Sequence, residues 1–147
     1  MDNNSDLIVP TDANSVSASR TGTRQYVGRN ARGAKVRVGM GPGEFSPGEL
    51  MKIALATCNG LSIDHRLAKE FGEDFEATIV CATAKPEGEE RYSQFDVQVT
   101  ADFASLSPER REKLAARAQS AIERGCTVGN TIEKGADVRL HLLDAEG

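Results

Sequence analysis

Residues 46–71 constrain the fold more than any other stretch, because they encode one long helix that cannot stand alone. Ser46 can cap its start, Pro47 suits the first helical position, and Glu49 completes a Ser-x-x-Glu capping box. Leu50, Ile53, Ala54, Leu61, Ala68 and Phe71 then recur at helical steps, and Gly72 sits where a C-terminal cap belongs. Cys58 shares a face with Leu50, Ala54 and Leu61, so its thiol is expected to point toward the core. Ile53, Leu55, Leu61 and Ile63 make the helix apolar on more than one face, which calls for cover on both sides. Gly60 costs about 1 kcal/mol relative to alanine inside a helix, and so predicts a kink, a close contact or room beside the thiol.

Strand-like segments flank this helix. Val16 to Ser19 and Ala34 to Val38 alternate around a turn-rich Gly28 to Gly33 stretch, which predicts a hairpin or meander between Ser15 and Met40. After the helix, Phe75 to Ala84 places Thr78, Val80 and Ala82 on one side. Tyr92 to Phe103 does the same with Phe95, Val97 and Val99, and Lys85-Pro86-Glu87-Gly88 turns between the two. Ser107-Pro108-Glu109 opens a second helix that stops at Gly125. Val128 to Lys134 reads as a short helical segment closed by Gly135, and Ala136 to Leu143 as a final strand with Val138, Leu140 and Leu142 inward. This order predicts an α+β fold with helices on largely antiparallel sheets. Residues 1–14 read as a flexible arm, with Leu7 to Val9 docking locally, and residues 15–147 as a single domain.

Composition excludes several functions. The net charge of −4 comes with scattered basic residues, which argues against a nucleic-acid partner. No run approaches the roughly 20 apolar residues of a membrane span, and the polar opening residues do not resemble a secretory signal, so the expected location is the cytoplasm. The two histidines, His65 and His141, have no ligand-spaced companions, and neither a metal nor another cofactor is expected.

The three cysteines, Cys58, Cys81 and Cys126, contain no Cys-x-x-Cys pair, so neither a disulfide framework nor a structural zinc site is indicated. Each alone reads as a small buried core residue sooner than as a reactive thiol. Redox work needs one thiol activated as a thiolate and a second able to reach it, whatever their separation in sequence. Cys58 in mid-helix and Cys126 just beyond a glycine stop are the candidates, and Cys81 is an ordinary strand residue.

Three motifs together resemble the OsmC/Ohr family, the osmotically induced and organic hydroperoxide resistance proteins. They are Ser46-Pro47-Gly48-Glu49-Leu50, the Ala54-Leu55-Ala56-Thr57-Cys58 helix, and Cys126-Thr127-Val128-Gly129-Asn130-Thr131-Ile132-Glu133-Lys134-Gly135 before the last strand. The resemblance spans about Ser15 to Leu143. It implies an OsmC-like fold, with antiparallel sheets packed around a long buried cysteine-bearing helix, in an intertwined homodimer whose subunits both line each site.

The resemblance also implies a thiol peroxidase. The Cys58 thiolate attacks the O–O bond of an organic hydroperoxide, and the resulting sulfenic acid condenses with Cys126 to a disulfide. A small or protein-borne dithiol then reduces that disulfide. A buried thiol needs a cation to hold its thiolate. The family draws an arginine from the N-terminal hairpin, and Thr21-Gly22-Thr23-Arg24 matches that segment best, with Arg29 and Arg32 as alternatives. A glutamate directly after the proline pairs with this arginine in the family. Here Gly48 follows Pro47 and Glu49 comes one place, or about 100° of helix, later. Glu49 either reaches Arg24 from another angle or only completes the capping box. The same fold also accommodates two other roles, a redox-sensing module and a small-molecule-binding module without fast turnover.

Overall fold

The computed structural model describes residues 8–145. The expectation for residues 1–7 of the arm lies outside them. Residues 8–16 carry no regular secondary structure. The chain divides into two compact units, one taking in the chain up to Pro47 together with the segment from Ala136 onward, the other running Gly48–Gly135.

The first unit is built on an antiparallel meander of β1 (Ser17–Gly22), β2 (Gln25–Arg29) and β3 (Lys35–Val38), in that order. The sequence predicts the outer two strands and a turn over 28–33. The structure instead gives Tyr26, Val27, Gly28 and Arg29 to a middle strand, paired Ser19↔Val27 on one side and Gly28↔Val36 on the other. The turn begins at Asn30, whose Oδ1 accepts from the N–H groups of Arg32 at 3.0 Å and Ala34 at 2.9 Å.

The expected final strand does not form, since residues 136–145 carry no regular secondary structure. Val138, Leu140 and Leu142 are 94%, 84% and 89% exposed. Their alternation suits a half-buried strand, but such a strand exists only on a sheet edge that accepts it.

The second unit holds α1 (Pro47–Phe71), β4 (Thr78–Ala84), β5 (Gln94–Thr100), α2 (Pro108–Gly125) and α3 (Thr127–Lys134), with a single 3₁₀ turn over Phe103–Ser105. The helix boundaries match the sequence signals. Gly72 adopts φ 96° and its N–H donates to the Ala68 carbonyl at 2.8 Å, while Ser107 Oγ accepts from the Arg110 N–H at 3.2 Å. Ile63 and Leu67 of α1 meet Leu114 of α2 in the core, surrounded by Phe71, Phe75, Val99, Phe103 and Ile122.

One face is assigned and another corrected. On β4 the half-buried residues are Ile79, Cys81 and Thr83, opposite Val99, Val97 and Phe95 of β5, and Thr78, Val80 and Ala82 share one side, as expected, which faces outward. Both faces of β4 are moderately apolar, so alternation alone does not choose between them. On α1 the buried residues are Leu55, Ala56, Ile63, Leu67 and Ala68, whereas Leu61 is 80% exposed. A helix apolar on two sides is covered within this chain on only one, and Cys58 lies at its border rather than pointing inward, being only partly buried. Both hairpin strands are also shorter than expected. The chain reaches β4 only at Thr78, and β5 gives way before the 3₁₀ turn.

Two glycines set how closely α1 is approached. A Cβ at Gly60 would lie 2.7 Å from Ile79 Cδ1, so Gly60 answers to a close strand contact. A Cβ at Gly48 would run into Tyr92 Oη. The Tyr92 ring is held edge-on to Phe95 at 5.5 Å, with Lys52 Nζ at 5.3 Å and Lys85 Nζ at 5.6 Å from its centre. Gly48→Ala is expected to cost about 1–3 kcal/mol through overpacking. Urea unfolding followed by circular dichroism checks this, and adding Tyr92→Phe should recover part of the loss. Full additivity of the two changes would contradict the contact.

Candidate active site

Cys126 occupies the corner where α2 gives way to α3. Its N–H still closes α2 by donating to the Ile122 carbonyl at 2.9 Å, while its carbonyl accepts from the Asn130 N–H at 2.9 Å and so opens α3. The side chain is the N-cap of α3, with Sγ accepting from the Gly129 N–H at 3.3 Å. A Cβ at position 129 would lie 3.1 Å from that sulfur and 3.6 Å from Leu55 Cδ1, so glycine lets the first turn of α3 close over the thiol. The Cys126 S–H donates to Asn59 Oδ1 at 3.2 Å, which ties the corner to α1.

The two thiols differ in exposure and are neighbours. Cys126 is 1% exposed and Cys58 is partly buried. Burial pushes the Cys126 thiol above its ordinary pKa. The Cys58 thiol adds to the rise by side-chain hydrogen bonding and by charge repulsion, and the backbone N–H groups of Gly129 and Val128 oppose it. Cys58 and Cys126 therefore interact within the second unit, although α1 and α3 stand far apart in sequence. Around Cys58 the helix keeps its polar groups satisfied, with Ser62 Oγ donating to the Cys58 carbonyl at 2.9 Å and Thr57 Oγ1 to the Ile53 carbonyl at 2.7 Å.

A cleft of about 580 Å³ adjoins Cys126, lined by Leu55, Asn59, Phe95, Val97, Gly129 and Ile132 among others. Its wall is mixed, apolar at Phe95, Val97 and Ile132 and polar at Ser93, Gln119 and Glu133, with Asn59 and Gly129 shared between the cleft and the contacts of the sulfur.

Glu49 lies exposed in the first turn of α1, in the same unit as the thiols. Arg24 belongs to the other unit. It sits exposed at the β1–β2 turn with φ 57°, the left-handed region that non-glycine residues seldom adopt. Arg29 ends β2 and Arg32 lies in the turn that follows. Gly48, where the family pattern sets a glutamate, is packed under the Tyr92 hydroxyl, so the departure has a steric basis. Cys81 faces the inner side of β4, its pKa raised by burial and opposed by the charge of Lys52. Among the described residues, no three His, Cys, Asp or Glu side chains gather to hold a metal ion, and no helix is long and apolar enough to cross a membrane.

Asn59 is absent from the sequence reading. The available signal is a polar, weakly helix-forming residue one step after Cys58, four after Leu55 and four before Ile63.

The family model described as OsmC-like protein matches residues 39–141. The chain belongs to the OsmC-like family. Proteins of Mycobacterium tuberculosis and Mycobacterium bovis, both described as uncharacterized, are 41% identical to this OsmC-like chain over 127 residues, which cover 85% of it and 93% of each relative. The fold is similar to that of a hypothetical protein from Aquifex aeolicus, with TM-score 0.66 at 15% identity, covering 88% of this chain and 93% of that one. It is also similar to an OsmC-like protein from Mycoplasma pneumoniae, with TM-score 0.56 at 12% identity, covering 83% and 88%. The match to the OsmC-like model holds both Cys58 and Cys126 and begins after β3, so Arg24, Arg29 and Arg32 lie outside it.

The raised Cys126 pKa carries a pH dependence. A group that holds its proton more tightly in the folded state contributes stability that is complete below the unfolded thiol pKa of about 8.5 and is lost as pH rises through the folded value. Unfolding free energy is therefore expected to fall above about pH 8.5, and to fall less steeply in Cys126→Ser. Equal slopes in denaturant titrations of the two proteins would contradict the assignment.

Proposed function

We propose that this OsmC-like protein is a thiol peroxidase that reduces organic hydroperoxides in the cytoplasm. The observation that carries the reading is a partly exposed thiol, Cys58, neighbouring a buried one, Cys126, that caps α3 and hydrogen-bonds Asn59.

The chemistry balances in three steps. The Cys58 thiolate attacks one peroxide oxygen, the O–O bond breaks, and the alkoxide leaves as an alcohol after taking a proton. Cys126 then attacks the sulfenic sulfur, closing a disulfide and releasing water. A dithiol finally gives two electrons and two protons to the disulfide and becomes a disulfide itself. Arg24 is assigned to the cation that stabilises the Cys58 thiolate and the leaving oxygen, and Glu49 to the carboxylate that positions it. Arg29 and Arg32 take that place if Arg24 does not. The apolar part of the cleft that adjoins Cys126 suits an organic tail, whose binding energy would orient the reacting oxygen.

The working unit is proposed to be a homodimer. Supporting it are the outward Leu61 on α1 and the alternating Val138, Leu140 and Leu142, apolar patterns left uncovered in one chain. Leu140→Glu is expected to shift the sedimentation coefficient from dimer to monomer, and an unchanged value would remove that segment from the interface.

Intact-mass analysis after one equivalent of cumene hydroperoxide tests the chemistry. Wild type is expected to lose two protons rapidly, Cys126→Ser to gain one or more oxygens on Cys58, and Cys58→Ser to stay reduced. Cysteines that remain reduced for hours would end the peroxidase reading. Slow disulfide closure that changes dimer affinity would favour a redox sensor, and ligand binding without oxidation a binding module.

A further inference from the structure

We propose that Asn59 is the positioning residue of the resolving step, holding the Cys126 sulfur in place for its attack on Cys58. The proposal rests on the roles given above to the two cysteines. A thiol offers one S–H donor and lone pairs that accept weakly. In Cys126 the donor is engaged by Asn59 Oδ1 at 3.2 Å, and one acceptor direction by the Gly129 N–H at 3.3 Å. The sulfur is 1% exposed, so water does not compete for either direction. Those two contacts fix the sulfur between α1 and α3, where Cys58 is the neighbouring thiol.

The orientation of the Asn59 amide follows from the same burial. Turned the other way, it would aim a second N–H at a sulfur already receiving one from Gly129, an arrangement that suits a thiolate. A sulfur sealed from water resists that charge, so the carbonyl oxygen faces it and the thiol keeps its proton. Asn59 can do this because it follows Cys58 on α1. One residue turns the helix by about 100°, which leaves Cys58 at the border while Asn59 joins Leu55 and Ile63 on the covered side.

The step can be read without any peroxide. In reduced protein, 5,5′-dithiobis(2-nitrobenzoate) exchanges first at the accessible Cys58, releasing one thionitrobenzoate and leaving a mixed disulfide. Cys126 then gives up its proton to the buffer and, as the thiolate, attacks the Cys58 sulfur, closing the protein disulfide and expelling the second thionitrobenzoate. Cys81→Ser removes the third thiol throughout. In Asn59→Leu, of similar volume, and in Asn59→Ala, the first phase is expected to keep its rate and the second to slow by about ten-fold, the scale of one buried hydrogen bond. Asn59→Asp keeps an oxygen acceptor for the S–H and is expected to restore most of the second-phase rate.

An unchanged second phase in both apolar variants overturns the proposal. So does equal slowing of both phases, or failure of Asn59→Asp to recover, since either would mean that Asn59 only supports the fold. If the two phases behave as expected while cumene hydroperoxide leaves the thiols reduced, Asn59 retains its role and the peroxidase reading falls.

Discussion

The angular step of an α-helix governs this site. Residues 55, 59, 63 and 67 of α1 lie on nearly one line, and the stripe they form faces the core and the α2–α3 corner, with Leu55, Ile63 and Leu67 buried. Cys58, one residue before Asn59, is turned to the margin of that stripe. A reagent can therefore approach Cys58 while Asn59 reaches a sulfur that solvent does not touch. Gly60 and Gly129 are the spatial conditions for this. A side chain at the first would meet Ile79, and one at the second would meet the sulfur of Cys126 and Leu55.

Electrostatics then separates the roles of two chemically identical groups. The N-terminus of a helix ordinarily favours a thiolate, and Gly129 and Val128 do offer N–H groups to Cys126. Burial outweighs them, and a neighbouring thiol reinforces burial, so Cys126 keeps its proton. In the proposed mechanism Cys126 stays neutral until the sulfenic acid exists, because two adjacent thiolates would repel, and it gives up its proton for the attack. The N–H donors are then useful as fixed geometry more than as charge.

Local signals were legible and non-local ones were not. Ser-Pro openings at Pro47 and Pro108 and glycine stops at Gly72, Gly125 and Gly135 placed all three helices, since caps depend on a few adjacent residues. The inward face of β5 was readable because Phe95, Val97 and Val99 alternate with Gln94, Asp96 and Gln98. The face of β4 was not, because Val80 and Ala82 compete with Ile79 and Cys81 and only the packing of α1 decides. Strand β2 escaped because Gly28 and its neighbours read as a turn, while its place is fixed by pairing on both sides. Both cysteines stood out, but Asn59 did not, since an acceptor for a thiol is recognisable only when the thiol arrives from another element. Gly48 is a similar case, for the space a side chain would need there is taken by Tyr92, which lies on the approach to β5.

The two largest departures from the sequence pattern share one physical form. On α1, Leu61 continues an apolar face that the chain leaves open, and residues 136–143 alternate as a strand that the chain leaves unpaired. A helix and a strand can each carry an isolated exposed apolar residue at little cost, but a sustained pattern at the correct period is a specification for a partner surface. The thiol pair needs no such surface, since both sulfurs and Asn59 belong to one unit of one chain. The cation proposed to activate Cys58 is different, because Arg24 belongs to the meander unit, and the main influences on Cys126 are burial, Cys58 and backbone N–H groups. In the proposed mechanism both sulfurs of the disulfide thus come from one unit, and the activating cation from the other.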